Sequence, residues 1–193
     1  LRDLRFYRLM PGLLSTPFIM TGVLFHQVHL VETKSWSLAM FASCYPLYAA
    51  SATGVTFGAG WLVDRFNAVS LLRFYLVPLG LGLVFLASTD EPYAAPVFMI
   101  LMGASAGAAT IVLSALWVEL YGTDYLGAIR SMCFAMLVFS TSIAPGLMGL
   151  LIDAGVTLET QFAILAIYVF ICSLSFMVIT PSLLIARTPP SLN

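Results

Sequence analysis

Residues 96–118 read PVFMILMGASAGAATIVLSALWV, a run without a single Asp, Glu, Lys or Arg. A helix needs about 20 mostly apolar residues to cross the hydrocarbon core of a bilayer, and this run is long enough. Lipid offers no partner to backbone amides and carbonyls, so a crossing segment satisfies them internally as a helix. Strands of a membrane barrel are shorter and alternate in polarity, which this run does not.

Five further runs of the same kind flank it, at residues 9–31, 37–62, 71–88, 129–152 and 162–185. The separators are short and polar, at 32–36, 64–70, 89–93, 119–128 and 153–161. Of the 193 residues 61% are apolar and 9% charged, against roughly 45–50% and about 25% in soluble domains. The expected fold is therefore all-α: one polytopic membrane domain over 1–193 with six transmembrane helices and the lipid bilayer as its surroundings. The net charge of −1 leaves no basic face for nucleic acid. Arg2, Arg5 and Arg8 lead into a run too long for the h-region of a signal peptide. Cys44, Cys133 and Cys172 sit apart inside apolar runs and read as small packing residues. Metal-ligand spacing, phosphate loop and dinucleotide fingerprint are all lacking, so we expect no metal and no cofactor.

Six spans place both termini on one side. Arg2, Arg5, Arg8, Arg65, Arg73, Arg130 and Arg187 fall on that side and Lys34 alone on the other. The positive-inside rule makes the termini cytoplasmic, and we expect a bacterial inner membrane. The opposite loops are acidic, with Asp90, Glu91, Asp153 and Glu159, while Trp36, Tyr93, Trp117, Tyr121 and Tyr125 lie at interfacial depth. Gly54, Gly58 and Gly60 in the second run, Gly103 and Gly107 in the fourth, and Gly146 and Gly149 in the fifth are spaced for close helix contact.

Residues 60–67, GWLVDRFN, follow the second run, and Arg73 opens the third. This stretch resembles the signature loop of the major facilitator superfamily, Gly-x-x-x-Asp-Arg/Lys-x-Gly-Arg/Lys, which joins the second and third helices of each six-helix half. Asn67 replaces the usual Gly and tolerates the left-handed backbone of that turn. Ala68 and Val69 replace its basic residues. Residues 119–131, ELYGTDYLGAIRS, resemble the loop between the tenth and eleventh helices of bacterial members. Thr21-Gly22 and Phe25-His26-Gln27 resemble a seventh helix.

The resemblance implies the C-terminal half of a twelve-helix secondary transporter, no enzyme, moving a small solute by alternating access. Its partners would be the missing N-terminal half, the substrate and coupled protons. Small organic anions or monocarboxylates are the favoured substrates and drug efflux the alternative. The first and fourth helices would line the cavity, the second and fifth would flank it, and the third and sixth would face outward. The cavity candidates are Thr21, His26, Gln27, His29, Tyr45, Tyr48, Ser105, Thr110 and Ser114. Gly60, Asp64, Arg65, Arg73, Glu119 and Arg130 would form a charge network that closes the cytoplasmic side.

His26 and His29 are the only histidines. Ionisable residues within spans usually face a cavity or a partner, and His titrates near neutral pH. They read as an outer gate or an anion anchor, against a plainer role in bonds to nearby backbone. No carboxylate lies deep in a span, so a proton-coupling group belongs to the missing half or to a His. Gly103-Ala104-Ser105-Ala106-Gly107 is similar to the serine motif of rhomboid proteases. That chemistry needs a His on the sixth helix to activate the serine, and both histidines are in the first run. A six-helix channel is the remaining class.

Overall fold

The computed structural model describes residues 3–186, and Arg2 and Arg187 lie outside them. Every regular element among the described residues is a helix. In order they are α1 (Leu4–Phe25), α2 (Gln27–Thr33), α3 (Leu38–Ser43), α4 (Tyr45–Phe66), α5 (Ala68–Leu71), α6 (Val77–Ser88), α7 (Ala94–Tyr121), α8 (Leu126–Asp153) and α9 (Leu158–Ala186).

These helices group into six runs, because three of the runs are broken. α1 and α2 meet at His26, whose backbone N–H still reaches the Gly22 carbonyl. α3 and α4 meet at Cys44, two residues before Pro46, which has no N–H to give the preceding turn. The third run is interrupted between α5 and α6, where Pro78 sits in the first turn of α6. There Ser105 of α7 intervenes: its buried Oγ accepts the Leu79 amide at 2.9 Å. The expected runs at 9–31, 37–62 and 71–88 are thus each interrupted, whereas those at 96–118, 129–152 and 162–185 lie within the unbroken α7, α8 and α9.

Four helices, α1, α7, α8 and α9, are long and apolar enough to cross a membrane. α4 has the length, but Ser51, Thr53, Thr56 and its three glycines dilute its apolarity. α6 is apolar but short. Among the described residues the fold is therefore all-helical, with four helices compatible with an integral membrane protein where six spans were expected.

α6 sits between α7 and α9, α4 packs on α7, and α1 packs on α8 and α9. The core is the seam of Leu72, Leu76, Leu79, Leu83 and Leu86 against Phe98, Met102, Val169 and Phe176, all essentially without exposure. Around it the outer faces stay apolar. Ile164, Ile167, Ile171, Leu174 and Val178 of α9 recur every three or four residues and are all more than half exposed. α6 is sandwiched rather than simply outward-facing, although Leu81, Val84 and Phe85 reach the surface. Contiguous exposed stripes of this kind suit lipid rather than water.

Two glycines let α7 lie against the α4 backbone. A Cβ on Gly103 or Gly107 of α7 would run into the α4 backbone at Tyr48 and Ala52. The α4 side of the pair is different from the expectation. A Cβ on Gly54, Gly58 or Gly60 would meet nothing within 4 Å, so these three leave space instead of making contact. Gly146 is likewise open, while Gly149 faces the His26 ring.

Candidate functional site

The cavity candidates divide into three groups. His26 and Gln27 stand at the α1–α2 joint. The His26 Nε2–H donates to the Pro145 carbonyl of α8 at 2.9 Å, and its ring lies against Gly149, one turn on. Pro145 sits inside α8, where a proline disturbs the helix ladder. The Gln27 Oε1 accepts the Tyr45 hydroxyl at 2.7 Å, and the Tyr48 hydroxyl reaches the Met20 sulfur at 3.5 Å. His26, Gln27, Tyr45 and Tyr48 thus tie the α1–α2 joint to α8 and α4.

Tyr48 also lines a hollow of about 270 Å³ with Thr53, Thr56, Phe57, Gly107 and Thr110. Thr56 was not singled out in the sequence, yet its hydroxyl lies 2.8 Å from the Ala52 carbonyl and 3.3 Å from that of Gly107. Ser51 adds a bond across the same seam, to the Ile100 carbonyl at 2.7 Å. Thr110 and Ser114 are exposed on α7 and return their hydroxyls to their own helix at 3.0 Å and 2.7 Å. One turn along, the Arg130 guanidinium crosses from α8 to the Ser114 carbonyl at 3.2 Å. Tyr48, Thr56, Thr110, Ser114 and Arg130 therefore form a hydroxyl-rich face ending in a cation.

The remaining candidates lie elsewhere. Ser105 is fully buried and holds the start of α6, so it faces no hollow. Thr21 is half-buried on α1. His29 is exposed, next to a separate hollow of about 320 Å³ with Thr33, Gly155 and Thr157.

The expected gating residues are arranged differently from a web of ion pairs. Asp64 is exposed and forms no ion pair among the described residues. Arg65 lies over Trp61 and Phe66 at 5.6 Å and 5.8 Å from the ring centroids. Arg73 donates from Nε to the Ser70 carbonyl at 3.0 Å and stacks 4.9 Å over Phe74. Glu119 of α7 accepts the Ala68 amide at 2.9 Å and the Val69 amide at 3.4 Å, capping α5. Gly60 is open to its surroundings. The turn has the positive φ that the sequence reading expects, but not the left-handed α conformation: Asn67 has φ 65° with ψ 157°, and its side chain accepts the Ser70 amide at 2.9 Å.

The strongest polar cluster was not foreseen. Lys34, fully buried, donates from Nζ to Asp90 Oδ1 at 2.6 Å and to the Thr89 carbonyl at 3.0 Å, with Glu159 Oε1 at 3.5 Å. The Trp36 indole donates to the Asp90 carbonyl beside it. Three segments meet here: the α2–α3 turn, the α6–α7 loop and the first turn of α9. The signal in the sequence was a single cation opposite several acidic loops. Among the described residues no group of three or more His, Cys, Asp or Glu is placed to hold a metal. The three cysteines are free, Cys44 and Cys172 buried and Cys133 half-buried. Comparison with family models, curated proteins and solved structures gave no match.

Proposed function

We propose that this chain is the C-terminal, six-span half of a secondary transporter of the major facilitator type, moving a small polar solute by alternating access. The six runs would be the six spans, with both termini cytoplasmic in a bacterial inner membrane. One observation carries the reading. Exchanging the first three runs with the last three turns the α4–α7 contact into α8–α1 and the α6–α7 contact into α9–α1, and leaves α6–α9 unchanged. A packing scheme that maps onto itself in this way is what two nested three-helix repeats produce, the internal organisation of each half in that superfamily. The 60–67 loop lies at the matching joint, between the second and third runs.

In this reading α1 and α7 face the missing half across a solute path lined by Tyr48, Thr56, Thr110 and Ser114. Arg130 and the His26–Gln27 joint stand near its two ends, and small organic anions are the first substrates to test. The proton-coupling carboxylate, where one exists, belongs to the other half.

The test is uptake into proteoliposomes containing the whole gene product, across a panel of labelled monocarboxylates, larger organic anions and cationic drugs. Saturable uptake of one class, lowered at least tenfold by Thr110→Val and Tyr48→Phe at equal protein, supports the reading. Absence of uptake or exchange across the whole panel refutes it.

A further inference from the structure

The room left open by Gly54 and Gly58 is part of a longer groove. Between α4, the α5–α6 segment and α7 lies a cleft of about 430 Å³ lined by Gly54, Gly58, Leu62, Leu71, Phe74 and further apolar residues. Its one polar side chain, Tyr75, is turned inward and donates to the Gly12 carbonyl at 3.0 Å. Leu62, Leu71 and Phe74 are shared with a second cleft of about 330 Å³, which ends at Phe66, Ser70 and Arg73. From Gly54 to Phe66 the α-helical rise gives a groove of about 18 Å, close to the roughly 15 Å depth of one leaflet's hydrocarbon.

Two features separate this groove from an ordinary surface furrow. Glycine inside a helix is unfavourable relative to alanine, and here neither glycine makes a close helix contact in return. The groove also changes chemistry along its length. Arg73 stacks on Phe74, and Arg65 stacks on Phe66, so two guanidiniums rest on aromatic rings that line its end. Neither is in an ion pair among the described residues. The nearby carboxylates are Asp64, exposed on α4, and Glu119, which accepts the Ala68 and Val69 amides. A planar guanidinium matches a phosphate with paired hydrogen bonds, and the anionic lipids of a cytoplasmic leaflet attract such clusters.

We propose that this groove binds one anionic phospholipid, an acyl chain lying along Gly54 and Gly58 and the phosphate held by Arg73 and Arg65 beside Ser70. The site rests on the membrane reading above. A bound chain would fill the α4–α7 edge and tie the 60–67 loop to the membrane surface, giving lipid charge a grip on the position of that loop.

The test is native mass spectrometry of the full chain released from micelles containing equal phosphatidylglycerol and phosphatidylcholine. The wild type retains phosphatidylglycerol in preference. Arg65→Gln with Arg73→Gln reduces that preference about fivefold per arginine, roughly 30-fold together, and Gly58→Leu expels both lipids while the arginines remain. Circular dichroism confirms that each variant is folded. Equal retention of the two lipids, an unchanged preference in the double-arginine variant, or full displacement by inorganic phosphate overturns the site. Alkaline carbonate extraction separates the two levels: a chain that stays in the membrane pellet yet shows no preference refutes the lipid site alone. A chain released by carbonate refutes the membrane reading and the site together.

Discussion

Lys34 is the sharpest place to perturb the fold, because its three partners are unequal. Its side chain has no exposure, whereas Asp90 is 79% exposed and Glu159 30%. Asp90→Asn with Glu159→Gln leaves a buried ammonium with the Thr89 carbonyl and no carboxylate. Removing one side of a buried pair costs about 3–5 kcal/mol, and the exposure of Asp90 places this case near 3. Lys34→Met keeps most of the stem's packing and removes the buried charge. Asp90 then returns to water at little cost, and the loss is about 1 kcal/mol, chiefly the bond to Thr89. For a chain of this size the gap of about 2 kcal/mol corresponds to roughly 4–8 °C in unfolding temperature. Thermal unfolding in detergent micelles, followed by the fluorescence of Trp36 beside the ammonium, reads it directly. Adding Lys34→Met to the carboxylate double variant should restore most of its loss. A more damaging Lys34→Met, or a triple variant no more stable than the double, would show that the buried ammonium does not depend on its carboxylates.

Gly107→Val drives a side chain into the Ala52 backbone and should cost about 1–3 kcal/mol or more, seen as a lower unfolding temperature, while Gly58→Ala at the open position should not destabilise. Ser105→Ala strands the buried Leu79 amide and should cost about 1–3 kcal/mol. Thr110→Ala, exposed on the same helix, should stay within about 0.5 kcal/mol, and equal losses would contradict the division between buried and exposed hydroxyls. Glu119→Ala removes the cap of α5 and should cost about 1–3 kcal/mol. Asp64→Asn should leave stability unchanged within about 0.5 kcal/mol and, on the proposed transport function, lower uptake by the whole gene product; unchanged uptake would show that the exposed carboxylate takes no part in gating.

The long unbroken helices were legible because nothing inside them competes with the helix. The run at 96–118 lacks ionised groups and proline beyond its first residue, and α7 contains it with a few residues added at each end. Proline was no sure guide to the breaks, and the first run breaks at His26, well past Pro17. Pro46 and Pro78 stand near breaks in the second and third runs, yet Pro17 and Pro145 lie inside continuous helices. The difference rests on distant partners such as Ser105, which no local pattern reveals. The Asn67 turn was readable because positive φ selects few residues. The Lys34 cluster was not, since it joins residues from three separate loops. The glycine spacing was read as contact on both α4 and α7, but spacing alone does not say which helix supplies the space and which helix fills it. Among the candidate site residues, Tyr48 and Thr110 fall together and Ser105 does not, because a hydroxyl on an apolar helix serves a neighbour's backbone as readily as a solute.

On the proposed topology the six helical runs are six crossings with both ends on one side. Single cysteines placed at Ser35, Asn67, Glu91, Thr123 and Gly155, with Cys44, Cys133 and Cys172 replaced by alanine, can be labelled with a membrane-impermeant maleimide in intact cells and in inverted vesicles. Six crossings give strict alternation. Ser35, Glu91 and Gly155 label from outside, and Asn67 and Thr123 only in inverted vesicles. Labelling of Ser35 and Asn67 from the same side would mean that α3 and α4 do not cross, and would contradict that topology.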